Sequence, residues 1–112
     1  MPLACVAVRA EVPEGDRERF DHWYETDHLP WALRAFKARR AWRYWSRNDS
    51  RGDPRGYPCV HVAFYEFDSV EAAEAATAPE TIAPLVADFD RVWGDRVTRH
   101  RTILELVQAI EP

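Results

Sequence analysis

Apolar residues alternate with polar ones over Leu3–Val12, where Val6, Val8, Ala10 and Val12 share one face, and this predicts a first strand. From "PEGDRERF" onward the apolar period lengthens to that of a helix, with Asp16 a plausible N-cap. Pro30 has no N–H to donate, so the helix is expected to stop, kink or restart there, and "WALRAFKA" supplies further turns. Arg39–Arg47 alternates again, with Trp42 and Tyr44 on one face and Arg43 and Trp45 on the other. "NDSRGDPRGYP" is a turn-rich loop, and Cys59–Phe67 is the clearest strand of the chain. Asp68 or Ser69 caps a helix over "VEAAEAATA", which "PETIAPLVADFDRVWG" extends in pieces interrupted by Pro79 and Pro84. Gly94 is its natural stop, and residues 96–110 read as a long fourth strand.

The order strand, helix, strand, strand, helix, strand predicts an α+β, ferredoxin-like βαββαβ domain over residues 1–112. Its four-stranded antiparallel sheet carries both helices on one face. Such a sheet requires only one apolar face. Here Val60, Val62 and Phe64 point one way while His61, Ala63, Tyr65 and Phe67 point the other, and both sets are largely apolar. No element is left to cover the second face, so two sheets are expected to pack face to face in a homodimer.

On a regular helix Phe20, Trp23, Tyr24, Asp27, His28 and Trp31 fall on one stripe, at steps of three, four, seven, eight and eleven. His28 and Asp27 are therefore expected inward beside Tyr24, and His22 outward. A near-neutral imidazole, a carboxylate to orient it and a phenol suffice for general acid–base chemistry. The bland alternatives are a core histidine, plain packing for the tryptophans, and an Asp27 that caps the helix or pairs with Arg43.

Composition narrows the field. The net charge of −4 argues against nucleic acid as the main partner, although "RAFKARRAWRYWSRNDSRGDPR" is locally basic. No apolar run reaches the length of a membrane span, and "MPLACVAVRAEV" lacks a signal peptide's basic start and cleavage site, so a cytoplasmic protein is expected. Cys5 and Cys59 sit in apolar strands and are expected to be reduced, buried thiols. His22 and His28 are six apart, not at a chelating spacing, and the four glycines form no phosphate loop. No metal and no organic cofactor are expected.

The segment "FDHWYETDHLPWALRAF" resembles the dimeric α/β-barrel superfamily, in particular the branch of EthD-like proteins and methylmuconolactone methylisomerase. The matching pattern is Phe20, then Trp23-Tyr24, the acidic Glu25 and Asp27, and His28-Leu29-Pro30. The likeness covers the whole chain in element order and about fifteen residues in detail. It implies a homodimer whose sheets form a barrel and a small-molecule cavity between each sheet and its helices. The implied activities are cofactor-free lactone isomerisation, polyketide cyclisation and cofactor-free oxygenation; the motifs of the haem-binding branches are not seen. The family's histidine maps onto His28.

The reading is thus a cofactor-independent enzyme acting on an aromatic, lactone or polyketide-like molecule by isomerisation, cyclisation or dehydration. His28 moves the proton, Tyr24 or Asp27 orients it, and Trp23, Trp31, His61 and Tyr65 line the substrate. The alternatives are a cofactor-free oxygenase and a ligand-binding or accessory module without chemistry.

Overall fold

The computed structural model of the chain describes residues 2–47 and 59–112; the loop "NDSRGDPRGYP" lies outside the described residues. Four strands form one antiparallel sheet in the order β2-β3-β1-β4: β1 (Ala4–Val12), β2 (Arg40–Trp45), β3 (Cys59–Phe67) and β4 (Thr98–Glu105). Helical segments cover one face, and this is the ferredoxin-like arrangement the element order predicts. The first covering unit runs through α1 (Arg17–Trp23), a π-turn (Tyr24–His28) and α2 (Leu29–Phe36). The second comprises α3 (Val70–Ala76) and α4 (Pro79–Trp93).

The strand pattern sorts the residues as alternation requires. Ala4, Val6, Ala10 and Val12 of β1 and His61, Ala63, Tyr65 and Phe67 of β3 are buried under the helices. Arg43 and Trp45 share that face, because Arg43 pairs with Ala63 and Trp45 with His61. On the open face Trp42 stacks on Phe64 at 5.4 Å, with Tyr44 against the same ring at 5.9 Å.

Between Phe20 and Phe36 the buried positions recur every fourth residue: Phe20, Tyr24, His28, Ala32 and Phe36. A regular helix cannot hold that period, since four residues overshoot its 3.6-residue turn. The π-turn inserts one residue, and the Leu29 N–H bonds the Tyr24 carbonyl five positions back. Its cause is local. Pro30 has no N–H for the carbonyl of Thr26, and its ring would clash there in an ordinary helix. Widening the preceding turn lets the helix pass Pro30 without ending.

Other boundaries depart from the sequence reading. Ser69 caps α3 by accepting from the Ala72 N–H at 3.1 Å, whereas Asp16 makes no capping bond and pairs with Arg19 and Arg96. Pro79 opens α4, but Pro84 lies inside it: one bond is lost, and buried Ile82, Leu85, Phe89 and Trp93 hold the helix together. Strand β4 ends at Glu105, not Ile110; beyond it Leu106 keeps one backbone bond to Leu3, and Val107 and Ile110 are exposed. Cys5 and Cys59 are unpaired thiols, half-buried instead of fully buried: Cys5 lies on the open face of the sheet, and Cys59 is the first residue of β3.

Helix α2 stops at Lys37, which adopts the left-handed conformation with φ 57° and ψ 39°. Side chains other than glycine pay a steric cost there. Lys37→Gly is expected to raise stability by about 0.5–1 kcal/mol, read as a higher urea midpoint at unchanged slope. A lower midpoint would mean that the lysine stem contributes packing which outweighs the strain.

Candidate functional site

A cavity of about 40 Å³ lies between the sheet and the helices, lined by Val8, Tyr24, His28, Tyr65, Phe89 and Arg99 among others. Its floor is the helix-covered face of β1 and β3. The π-turn supplies Tyr24 and His28, and α4 supplies Ile82, Leu85, Val86 and Phe89. Strand β4 closes one side with Arg99 and Arg101, whose parity puts them under the helices with Ile103. Buried side chains make the interior, and half-buried Val86 and exposed Arg101 mark the mouth. The space holds a few waters, so a ring-sized ligand must part the mouth residues to enter.

His28 is only 7% exposed and stacks on Trp23 at 4.5 Å, with Tyr24 and Phe89 edge-on at 4.9 and 6.0 Å. Its Nδ1 is buried with no partner, and among the described residues neither ring nitrogen makes a hydrogen bond. This is not the satisfied histidine of an ordinary core, where buried polar atoms are paired. Burial pulls its pKa down to about 4; nearby Asp88 opposes this and Arg99 adds to it. At neutral pH the ring is uncharged, with one nitrogen able to accept a proton.

Two phenols stand beside it. Burial pushes the Tyr24 hydroxyl up to about 12 and raises Tyr65 well above the ordinary phenol value. The two hydroxyls feel each other, but their approach falls short of a well-formed hydrogen bond, and the Tyr65 oxygen is buried without one. Both remain protonated donors at any physiological pH.

His61 lies a layer deeper, fully buried, with its ring 4.5 Å from that of Tyr24. Arg43 donates to its Nε2 at 3.2 Å, so the ring proton belongs on Nδ1, which has no partner. Arg43 in turn donates to the Asp21 carboxylate at 2.8 Å, and the Trp45 indole donates to the same oxygen at 2.7 Å. Those donors, Trp45 first, hold the Asp21 carboxyl below its ordinary value. Burial, then Arg43, pulls His61 down to about 3.

Of the residues expected at the site, Tyr24, His28 and Tyr65 line the cavity, and His61 backs Tyr24 without reaching it. Asp27 is a correction. It is exposed and lies with His22 in a surface groove between α1 and α4, because the extra residue of the π-turn rotates it off the inward stripe. Nor does it pair with Arg43, which goes to Asp21. Trp31 is displaced by the same shift; it is half-buried, 6.4 Å from His28, and does not line the cavity. Trp23 lies behind His28 as its stacking partner and lines the outer groove instead. Arg99 and Arg101 were missed. Their one signal is that they alternate in step with Ile103 along β4, easily taken for the solvated side of a strand. Among the described residues no group of three or more His, Cys, Asp or Glu side chains could hold a metal ion, and no helix is long and apolar enough to cross a membrane.

The buried imidazoles set a pH dependence of stability. Both have folded pKa values below the unfolded value of 6.5, so the unfolded chain binds more protons as pH falls below that point. Stability is fully present above 6.5 and is lost down towards 4 for His28 and 3 for His61. Near pH 5 unfolding is expected to take up close to two protons, a slope of about 2.7 kcal/mol per pH unit. Urea midpoints from about pH 4.5 to 7.5 test this. A flat profile would mean that the imidazoles are charged in the folded protein.

The chain has the ferredoxin-like fold, with a ring-lined cavity between sheet and helices. Solved structures that share it include an EthD-family protein from Bacillus halodurans, at TM-score 0.66 and 20% identity over 96% of this chain and 100% of that one. A dimeric ferredoxin-like protein from an uncultured marine organism superposes at TM-score 0.63, with 13% identity over 98% and 100% of the two chains. A cofactor-independent oxygenase from Streptomyces nogalater does so at 0.61, with 14% identity over all of both. At such identities the likeness is one of fold. No protein-family model matches the chain, and no curated protein matches it in sequence.

Proposed function

We propose that this protein is a cofactor-independent enzyme that moves a proton on a small ring-bearing or polyketide-like substrate, by isomerisation, cyclisation or dehydration. The observation that carries this reading is the set of buried, unpartnered polar groups at one apolar cavity: the imidazole of His28 and the hydroxyl of Tyr65, with Tyr24 beside them. Buried polar atoms without partners are costly, and a ligand that pairs them explains their retention. A ring nitrogen of His28 takes a proton from carbon next to a carbonyl. The electron pair moves onto the carbonyl oxygen, and the enolate so formed is stabilised by hydrogen bonds from the phenols. Returning the proton to a different atom completes an isomerisation with no oxidant or reductant. Tyr24 positions the imidazole from one side and Trp23 from the other; Asp27 is too exposed for that part.

A second reading, favoured by the fold shared with a cofactor-independent oxygenase, passes the same enolate to molecular oxygen as co-reactant. The open sheet face, with Tyr44 and Leu104 exposed on it beside half-buried Trp42 and Phe64, supports a homodimer in either case. The test is deuterium wash-in. Aromatic β-keto acids and unsaturated lactones are incubated with the protein in D₂O and weighed, with an oxygen electrode in parallel. Exchange that depends on His28 supports proton transfer, and oxygen consumption moves the reading to the second. Neither, across the panel, sinks both.

A further inference from the structure

The charges around the cavity are one-sided. Among the described residues Arg99 and Arg101 are its only charged lining residues and no acid lines it, although the whole chain has 19 acidic against 15 basic side chains. Arg99 is placed with care: its guanidinium lies over the Phe89 ring at 4.0 Å, and Phe89 is itself packed against His28. Its one ion pair among the described residues, to Asp90 at 3.4 Å, is long, and Asp90 is 62% exposed. Arg101 makes no ion pair among the described residues and raises the local positive potential at Arg99.

From this we infer that the substrate is an anion, its carboxylate held at the mouth by Arg99 and Arg101 while its apolar body reaches between Phe89, Tyr24 and Tyr65 to His28. The inference rests on the cavity being the substrate site. Two guanidiniums on alternate residues of one strand repel each other, and a carboxylate between them relieves that cost. Arginine stays charged here even though burial lowers its proton affinity. A planar carboxylate also matches the guanidinium fork, which a neutral carbonyl does not. There is a consequence for the chemistry. The acceptor nitrogen of His28 is a weak base in the empty site, because burial and Arg99 both disfavour its charged form. An anion bound at Arg99 cancels the second effect and raises the base towards its working range. The groups facing His28 in that balance are Asp88 of α4, Arg99 of β4 and, through the ring cluster, His61 of β3.

Benzoate and benzamide are the probes, near-isosteric and different in charge. Each is titrated at neutral pH into the full chain and followed by the imidazole NMR signals of His28, and the His28 pKa is then measured with each bound. Benzoate is expected to bind at least about tenfold tighter than benzamide and to raise that pKa, and benzamide to leave it in place. Arg99→Gln and Arg101→Gln should each lower benzoate affinity several-fold and leave benzamide unchanged. Arg101, being exposed, makes a variant that folds. Equal binding of the two probes, both moving the His28 signals, overturns the anion inference and leaves the cavity as the ligand site. If neither probe moves His28, the cavity reading fails and the inference with it.

Discussion

Turnover should fall by about 10²–10⁴-fold in His28→Phe, while the protein becomes no less stable than the parent. The two halves of that result come from one fact. His28 carries ring nitrogens that no described residue satisfies, inside a cluster of aromatic rings. Phenylalanine keeps the stacking on Trp23 and the edge contact with Tyr24, and removes a buried polar atom that had no partner. Replacing an unsatisfied polar group with an apolar one of similar shape is neutral or stabilising. A residue kept for the fold behaves in the opposite way, since its replacement costs stability and spares chemistry. The rate is read as deuterium wash-in on the substrate found in the exchange screen, and stability as the urea midpoint. His28→Ala is the companion variant; it opens a cavity and costs some stability, but sedimentation should show its assembly unchanged. Full activity in His28→Phe ends the proton-transfer mechanism. Lost activity together with a large fall in stability makes the histidine structural.

The order and type of the elements were legible because strands and helices impose different periods on apolar residues. The two faces of β3 and the inward position of His28 followed from the same rule. Asp27 and Trp31 were misplaced because the helical wheel assumes a fixed angle per residue, and one inserted residue breaks that assumption. The signal was present: Pro30 sits four residues beyond Thr26, where a normal turn would clash. Pro84 shows why such a signal is weak, since an identical residue lies inside α4 at the cost of one hydrogen bond and without ending the helix. The Asp21–Arg43–His61 chain was not legible at all. It joins residues 22 and 18 positions apart, and only the packing of α1 against the β2–β3 edge brings them together. Arg99 and Arg101 were hidden for a related reason, since a charged strand reads as solvated until the helices are seen to lie over it.

Phe20→Ala should be the most damaging single truncation considered for this protein, at about 3–5 kcal/mol. Phe20 is fully buried, and its ring meets Tyr24 at 5.2 Å, Trp93 and His61 at 5.1 Å, and Trp45 at 6.0 Å. Those rings come from the π-turn, α4, β3 and β2, so one side chain ties both helical units to the sheet. Each neighbour is large and held by its own contacts, which leaves the site little freedom to collapse, and the cavity term is added to the lost transfer free energy. Domains of this size are stable by only about 5–15 kcal/mol, so the melting temperature is expected to drop by about 15–25 °C. Phe20→Leu separates volume from ring identity: it refills most of the space and should cost roughly 1–1.5 kcal/mol. The functional effect follows from the same contacts. Tyr24 and His61 lose their shared wall, so deuterium exchange should slow even at temperatures where the variant remains folded, because a hydroxyl displaced by about 1 Å no longer meets the forming enolate. A loss below about 1 kcal/mol would mean that the rings repack around the gap, and that the cluster is a deformable filling instead of the pivot of the fold.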